Sequence, residues 1–412
     1  MQLMFVALLV APFFVHCLAW WLNLRTLARE LPPESLGAYA PEQYRKSQAY
    51  TRAQTKLAAA SAIVGLLATL AFWFAGGFGA LDRLVLSWQL PPLVAGLAYL
   101  GLLLFARRLF LLTPFVVYQD FVIEQRFGFN RYTPATFALD FLKWRMINGV
   151  IYGLAATFTL ALFAWGGASA WWYVWIAVAA LTVAVTFVAP QWILPLFYRF
   201  TSLPEGELRQ RIAAQAAQLG YPLAGVFLID SSRQTSKSEA ICLGFGRNRR
   251  VALSDTLLSR HPTDELATIV AHEVGHARYH HTLKRLAAHL ALYGVLCFLL
   301  SLLLQSDSVF AAVGVPERSS YVGLVLFMLL YGAWQEISTV PIKCFCRCQE
   351  FQADAFAACA VGDPEVVVRM LSTMAADNLI ARHEHPLYTA LHRAHPTVAQ
   401  RLAALHKIIP PA

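Results

Sequence analysis

Apolar residues run along this chain in blocks too long for the core of a soluble domain. Seven such blocks fall at roughly 2–22, 57–79, 90–112, 146–166, 169–191, 286–304 and 320–341, and each is close to the ~20 apolar residues that carry a helix across a bilayer. The pattern predicts seven membrane-spanning helices. Arg107 and Arg108 interrupt the third block, and a short Gly-Gly-Ala-Ser turn joins the fourth to the fifth, which predicts an antiparallel pair. Met1–Asn23 has no basic stretch ahead of its apolar run and no small-residue cleavage pattern after it. It reads as an uncleaved first helix of a chain at its full mature length.

Two polar regions remain. The loop 192–285 predicts a helix from Glu205 to Leu219 and strands at Val226–Ile229 and Val251–Leu253. The other region is the tail from Lys343. The expected fold class is therefore mainly α: a polytopic membrane protein with a short β element. It divides into a five-helix membrane region, 1–191, and a second region, 192–412, that contains the last two spans. Composition agrees, since 58% of residues are hydrophobic and 14% charged, against about half and about a quarter in soluble proteins.

The net charge of +9 could suggest nucleic acid in a soluble protein. Here its placement points to the membrane. Lys and Arg number six in 23–56, six in 106–145, twelve in 190–285 and seven in 343–412, leaving only Arg83 and Arg318 in the alternate loops. Cytoplasmic loops collect basic residues, so both polar regions are expected in the cytoplasm, on one side and able to meet. The partners expected are membrane lipid and a peptide or protein, with no nucleic acid. Seven cysteines without a C-x-x-C argue against a disulfide framework.

The chemistry begins at Ala271-His272-Glu273-Val274-Gly275-His276, which contains H-E-x-x-H. Two His four apart share one helix face and can reach one metal ion. Glu273 is turned about 100° away around the helix. It can act on a water beside the metal rather than on the metal, and zinc acidifies such a water. Thr263-Asp264-Glu265 reads as the helix start, and the helix is expected to run on through His289 into the sixth span. His280 and His281 read as solvated or facing headgroups.

A catalytic zinc takes three protein ligands and keeps one position open. The longer H-E-x-x-H-x-x-G-x-x-H pattern fails, because Tyr279 and Thr282 stand at its last two key positions. Gln349-Glu350-Phe351-Gln352-Ala353-Asp354 offers a better third ligand. Glu350 can ligate, while Asp354 on the same helix face orients a ligand His or pairs with an Arg. An E-x-x-x-D pair standing alone would read as a solvated helix face. Glu336, inside the seventh span, reads as lining a water-filled chamber in preference to a catalytic role. Arg247-Asn248-Arg249-Arg250 reads as facing headgroups or solvent, with a grip on a substrate carboxylate as the alternative.

Taken together, these motifs resemble the Ste24-type integral membrane zinc metalloproteases, or type I CAAX prenyl proteases, over almost the whole chain. Beside the metal motifs, the resemblance rests on Tyr44-Arg45-Lys46-Ser47-Gln48-Ala49-Tyr50, on Phe121–Asn130, on Pro195–Gly206, on Asp377-Asn378-Leu379, and on His395-Pro396-Thr397 with Arg401. It implies one zinc per chain held by His272, His276 and Glu350, with Glu273 as catalytic base. It also implies Asp354 and Arg401 as supports behind the ligands, and His395 as a second catalytic group that binds substrate or the oxyanion. Seven helices are implied to surround an intramembrane chamber. The implied reaction removes the C-terminal tripeptide of prenylated proteins. One segment departs from the family: an Asn-Ala-Tyr-Phe-Tyr-Gly edge strand is replaced by Glu239-Ala240-Ile241-Cys242-Leu243-Gly244. Backbone pairing through Glu239, Ala240 and Ile241 can survive that change. The carboxylate would repel a substrate C-terminus.

The function expected is a zinc metalloendopeptidase of CAAX type. A membrane quality-control protease without prenyl specificity is the alternative within the class, and a non-enzymatic scaffold or transporter is the alternative outside it. Ala- and Arg-rich usage favours a bacterial inner membrane over the endoplasmic reticulum.

Overall fold

The structure is a computed structural model that describes residues 2–28, 40–221, 223–243, 250–315 and 318–408. Among the described residues, seven helices are long and apolar enough to cross a membrane: Gln2–Thr26, Pro41–Phe74, Pro92–Phe127, Pro134–Gly166, Trp171–Leu196, His281–Leu304 and Ser320–Val361. Most outrun the apolar blocks that predicted them, because their polar ends continue beyond the hydrocarbon layer. Pro opens the second, third and fourth spans, where its missing N–H costs nothing and its fixed φ suits a first turn.

Three boundaries differ from expectation. The second span stops at Phe74, and a separate short helix, Gly77–Ser87, follows Gly76 at φ 72°. Arg107 and Arg108 do not end the third span. It passes through them as a π-helical turn and reaches Phe127. The helix of the H-E-x-x-H motif does not run into the sixth span. It ends at Arg278, His280 takes up a left-handed φ of 55°, and the next helix starts at His281. The break turns the chain so that His281 is wholly buried against the motif, and it is neither solvated nor facing headgroups.

The small sheet holds four strands in the order β1-β2-β4-β3: β1 Phe200–Ser202, β2 Gly225–Ile229, β3 Ala240–Leu243 and β4 Arg250–Ser254. β2 and β4 are parallel, and the other two pairings are antiparallel. β2 and β4 were expected, and β1 was too short to read from alternation. Among the described residues β3 lies at the sheet edge, paired with β4 alone through Ala240–Leu253 and Ile241–Ala252.

The sheet and the helices around it share one apolar core. Val226, Val251 and Leu253 pack with Leu266, Ile269, Val270 and Val274 of the motif helix, and with Ala357 from the end of the seventh span. The motif helix, Thr263–Arg278, is thus held by its buried face. A second core within the spans gathers Phe5, Trp73, Phe78, Tyr99, Leu160 and Leu326. Cys17, Cys297, Cys344, Cys346, Cys348 and Cys359 are all free. Of Arg247-Asn248-Arg249-Arg250, only Arg250 is among the described residues, and its guanidinium lies 5.4 Å from the Phe227 ring centre. Glu336 pairs with Lys343 seven residues on, and Lys343 also donates to the Leu391 carbonyl.

Candidate metal centre

Two helices build the site. Thr263–Arg278 carries His272, Glu273 and His276, and Val340–Val361, the end of the seventh span, carries Glu350 and Asp354. They approach so closely at Gly275 that a Cβ there would lie 3.1 Å from Phe356 Cδ1 and 3.3 Å from the Ala353 Cα. That approach points the two imidazoles and the Glu350 carboxylate at one spot.

One ligand atom from each of His272, His276 and Glu350 lies within 4.8 Å of the others. The two His Nε2 atoms are 3.1 Å apart. Glu350 Oε2 is 3.6 Å from His272 Nε2, and Glu350 Oε1 is 3.4 Å from His276 Nε2. A tetrahedral zinc bound at its usual lengths sets neighbouring ligand atoms about 3.3 Å apart, so the donor set fits that ion in spacing and in chemistry. Two facing imidazole nitrogens also call for a cation or a proton between them, since two lone pairs would repel.

The remaining ring nitrogens are held from behind. His272 Nδ1 lies 3.0 Å from Asp354 Oδ1. Arg401 grips Asp354 with two hydrogen bonds, of 2.6 and 2.8 Å. Burial disfavours charge on His272, but the Asp354 and Glu350 carboxylates outweigh it and raise its pKa to about 9. His276 Nδ1 is 2.8 Å from His281 Nδ1, and His281 Nε2 is 3.1 Å from Gln352 Oε1. The carbonyl-type oxygen only accepts. It assigns the proton to His281 Nε2, and His276 Nδ1 is met from two sides, by His281 Nδ1 and by Arg285 Nη2 at 3.1 Å, a group that only donates.

The other residues singled out in the sequence are placed as follows. Glu273 is half-buried beside the two His and makes no hydrogen bond or ion pair among the described residues. His395 brings Nδ1 to 3.1 Å from Glu350 Oε2, with its side chain 66% exposed. Arg401, reached only through the resemblance, lies directly behind the ligands. Glu239 is exposed at the start of the edge strand, its backbone N–H donating to Ser254 Oγ at 3.0 Å. Ala240 and Ile241 follow in β3. Gly244 lies outside the described residues.

Sequence reasoning misplaced His281 and gave no supporting role to Gln352, Asn378 or His261. Gln352 lies inside the Gln349–Asp354 motif, but nothing in the spacing along the chain showed that it would meet His281. Asn378 holds Ser238 at both backbone groups, accepting from its N–H at 2.9 Å and donating to its carbonyl at 3.0 Å. His261 sits fully buried between Glu265 Oε2, 2.8 Å from Nδ1, and Asp377 Oδ2, 3.4 Å from Nε2.

Comparison with known proteins gives this geometry a family. Residues 202–409 match peptidase family M48, and residues 22–199 match the family described as CAAX prenyl protease N-terminal, five membrane helices. The chain belongs to peptidase family M48. It is a multi-pass membrane metallopeptidase of the Ste24 type. A Schizosaccharomyces pombe relative named as a probable CAAX prenyl protease 1 is 30% identical over 97% of this chain and 88% of its own length. An Arabidopsis thaliana CAAX prenyl protease 1 homolog is 31% identical over 93% of both chains. The crystal structure of S. mikatae Ste24p shares the fold at a TM-score of 0.91, with 27% identity and 98% of each chain covered. M48 membership implies a metal, which agrees with the cluster of His272, His276 and Glu350. These relatives are eukaryotic and lend no support to the expected bacterial host.

Proposed function

We propose that this M48 peptidase is a one-zinc endopeptidase that trims prenylated CAAX-type C-termini at the cytoplasmic face of its membrane. The observation that carries the reading is the donor triangle of His272, His276 and Glu350, with spacings of 3.1, 3.4 and 3.6 Å and Glu273 beside it. Zinc bound there would supply Lewis acidity to a water and to the scissile carbonyl.

The rest of the mechanism belongs to the chain. Glu273 makes no hydrogen bond or ion pair among the described residues, so its carboxylate can take the proton of the attacking water and return it to the leaving amine. His395 is mostly exposed on the open side of the ligands. It presents an N–H toward the carbonyl oxygen as charge develops there. Asp354 and Arg401 lock the His272 ring, which spares the site a rearrangement during the reaction. The outer edge of β3 is where an extended substrate can add as a strand; Ser254 takes both main-chain groups of Glu239, so the pairing would run through Ala240, flanked by Glu239 and Ile241. The division into a membrane region, 1–191, and a metalloprotease region, 192–412, follows this assignment of roles. The cytoplasmic placement rests on the distribution of Lys and Arg among the loops.

Glu239 favours a second reading within the class. Its exposed carboxylate at the entry of the edge strand disfavours a substrate ending in a free carboxylate nearby, as a quality-control protease without prenyl specificity would not require one. The deciding experiment is cleavage of a fluorogenic prenylated CAAX peptide and its non-prenylated twin, with zinc quantified in each preparation and Glu273→Gln as control. Prenyl-dependent cleavage that vanishes in the variant while zinc is retained supports the proposal. Equal cleavage of both peptides replaces prenyl recognition with the broader reading. No Glu273-dependent cleavage of either peptide overturns the assignment of Glu273 and revives a non-enzymatic role.

A further inference from the structure

We infer that a groove between the second and third spans is a binding site for an anionic phospholipid of the surrounding leaflet. The groove has a volume of about 710 Å³. Its room comes from the sequence, because Ala53 and Ala60 present short side chains along one wall while Phe115 and Tyr118 line the other. Those walls suit acyl chains.

Three cations stand on the same walls: Arg52 and Lys56, one turn apart on the second span, and Arg126 on the third. Arg52 donates to the Leu27 carbonyl, which offsets no charge. Among the described residues no carboxylate lines the groove, and neither Lys56 nor Arg126 has an ion-pair partner. Apolar walls carrying net positive charge match a ligand with hydrocarbon tails and a net negative headgroup. A zwitterionic lipid brings its own cation and matches less well. The membrane is the source, because the groove lies where the second span begins and the third ends. Alternating spans put those two ends at one face of the bilayer, the face that also carries the metal centre.

The groove also touches the catalytic half. Ile123 and Phe127 line it, and they pack with Tyr50 against Leu379. Leu379 follows Asn378, which clamps Ser238 just before the edge strand. A filled groove therefore braces the wall on which this contact rests.

The test uses the full-length protein, delipidated in detergent and titrated with phosphatidylglycerol or with phosphatidylcholine of identical acyl chains. Native mass spectrometry counts bound lipid, and thermal unfolding follows stability. The expected result is selective retention of phosphatidylglycerol with a raised melting temperature. Lys56→Gln with Arg126→Gln should weaken it roughly 30-fold, from the usual contribution of two surface cations to anionic-lipid binding. Neutralising the exposed pair Arg45 and Lys46, outside the groove, should leave it unchanged. Ala60→Phe should block retention by filling the groove without altering charge. Equal retention of the two lipids overturns the inference, as does an equal effect of both double variants, persistence of binding in Ala60→Phe, or full competition by soluble glycerol phosphate.

Discussion

His276 Nδ1 meets His281 Nδ1 at 2.8 Å across the break between two helices, and His281 Nε2 reaches Gln352 Oε1 at 3.1 Å. The left-handed turn at His280 exists in the service of this contact: a continuous helix would carry His281 about 140° around the axis from His276, out of reach of it. His281→Phe should therefore lower zinc affinity by about 10–100-fold, the usual cost of losing an outer-shell partner. A competitive chelator titration measures this directly, without recourse to turnover. His281→Gln, which keeps an acceptor, should recover part of the loss.

Arg401 holds Asp354 through both carboxylate oxygens, at 2.6 and 2.8 Å, inside a buried site. Arg401→Leu leaves that carboxylate buried without its cation, which typically costs about 3–5 kcal/mol. The expected outcome is a large fall in melting temperature together with weaker zinc binding. Arg401→Lys keeps the charge but loses the two-pronged grip. It should restore stability more than it restores zinc affinity. An unchanged zinc affinity in Arg401→Leu would separate Asp354 from the orientation of His272.

Gly275 sets the distance between the two ligand helices. Gly275→Ala would put a Cβ 3.1 Å from Phe356 Cδ1 and 3.3 Å from the Ala353 Cα. Overpacking of this kind costs about 1–3 kcal/mol. Since the strain falls between His276 and Glu350, zinc affinity should drop along with thermal stability. Phe356→Leu in the same chain should relieve part of both effects, and a double-mutant cycle would quantify the coupling.

His261 gives the stability a pH dependence. Burial disfavours its charged form, but Asp377 and Glu265 outweigh burial and raise its pKa above the ordinary 6.5. A raised folded-state pKa stabilises the fold fully below about pH 6.5, and that contribution fades as pH rises through the folded value. Melting temperature should thus decline on going from pH 6 into the alkaline range. His261→Gln should be less stable at pH 6 and should flatten that decline. Identical slopes in the two proteins would remove His261 from the account.

Asn378 fixes both backbone groups of Ser238 ahead of the edge strand. Asn378→Ala unpairs them, and each buried unpaired group costs about 1–3 kcal/mol. The entry to β3 should loosen. KM for an extended peptide is expected to rise several-fold, with a smaller change in kcat. A fall confined to kcat would place Asn378 in the chemistry instead of in substrate alignment.

How much of this was legible in advance depends on the distance over which each signal acts. Seven spans could be counted from run length, because lipid forces every backbone group into a helix and every helix to a similar apolar length. The candidate ligands His272 and His276 and the candidate base Glu273 could be read, because helical periodicity alone puts residues four apart on one face. Strands β2 and β4 were visible as apolar runs, but β1, three residues long, left no periodicity to detect.

The tertiary structure decided everything that needed two segments to meet. Glu350, already a candidate in the sequence, comes within 3.4 and 3.6 Å of the two His only because the end of the seventh span packs on Gly275 of the motif helix. The break at His280 escaped the sequence reading because a left-handed His depends on the contacts that hold it there, and local propensity favours a continued helix. Arg401, Asn378 and Gln352 work through hydrogen bonds between partners far apart in the chain or on separate helices. Such bonds leave no periodic trace in a sequence, since their geometry is fixed by how the helices pack and not by the spacing of residues along any one of them.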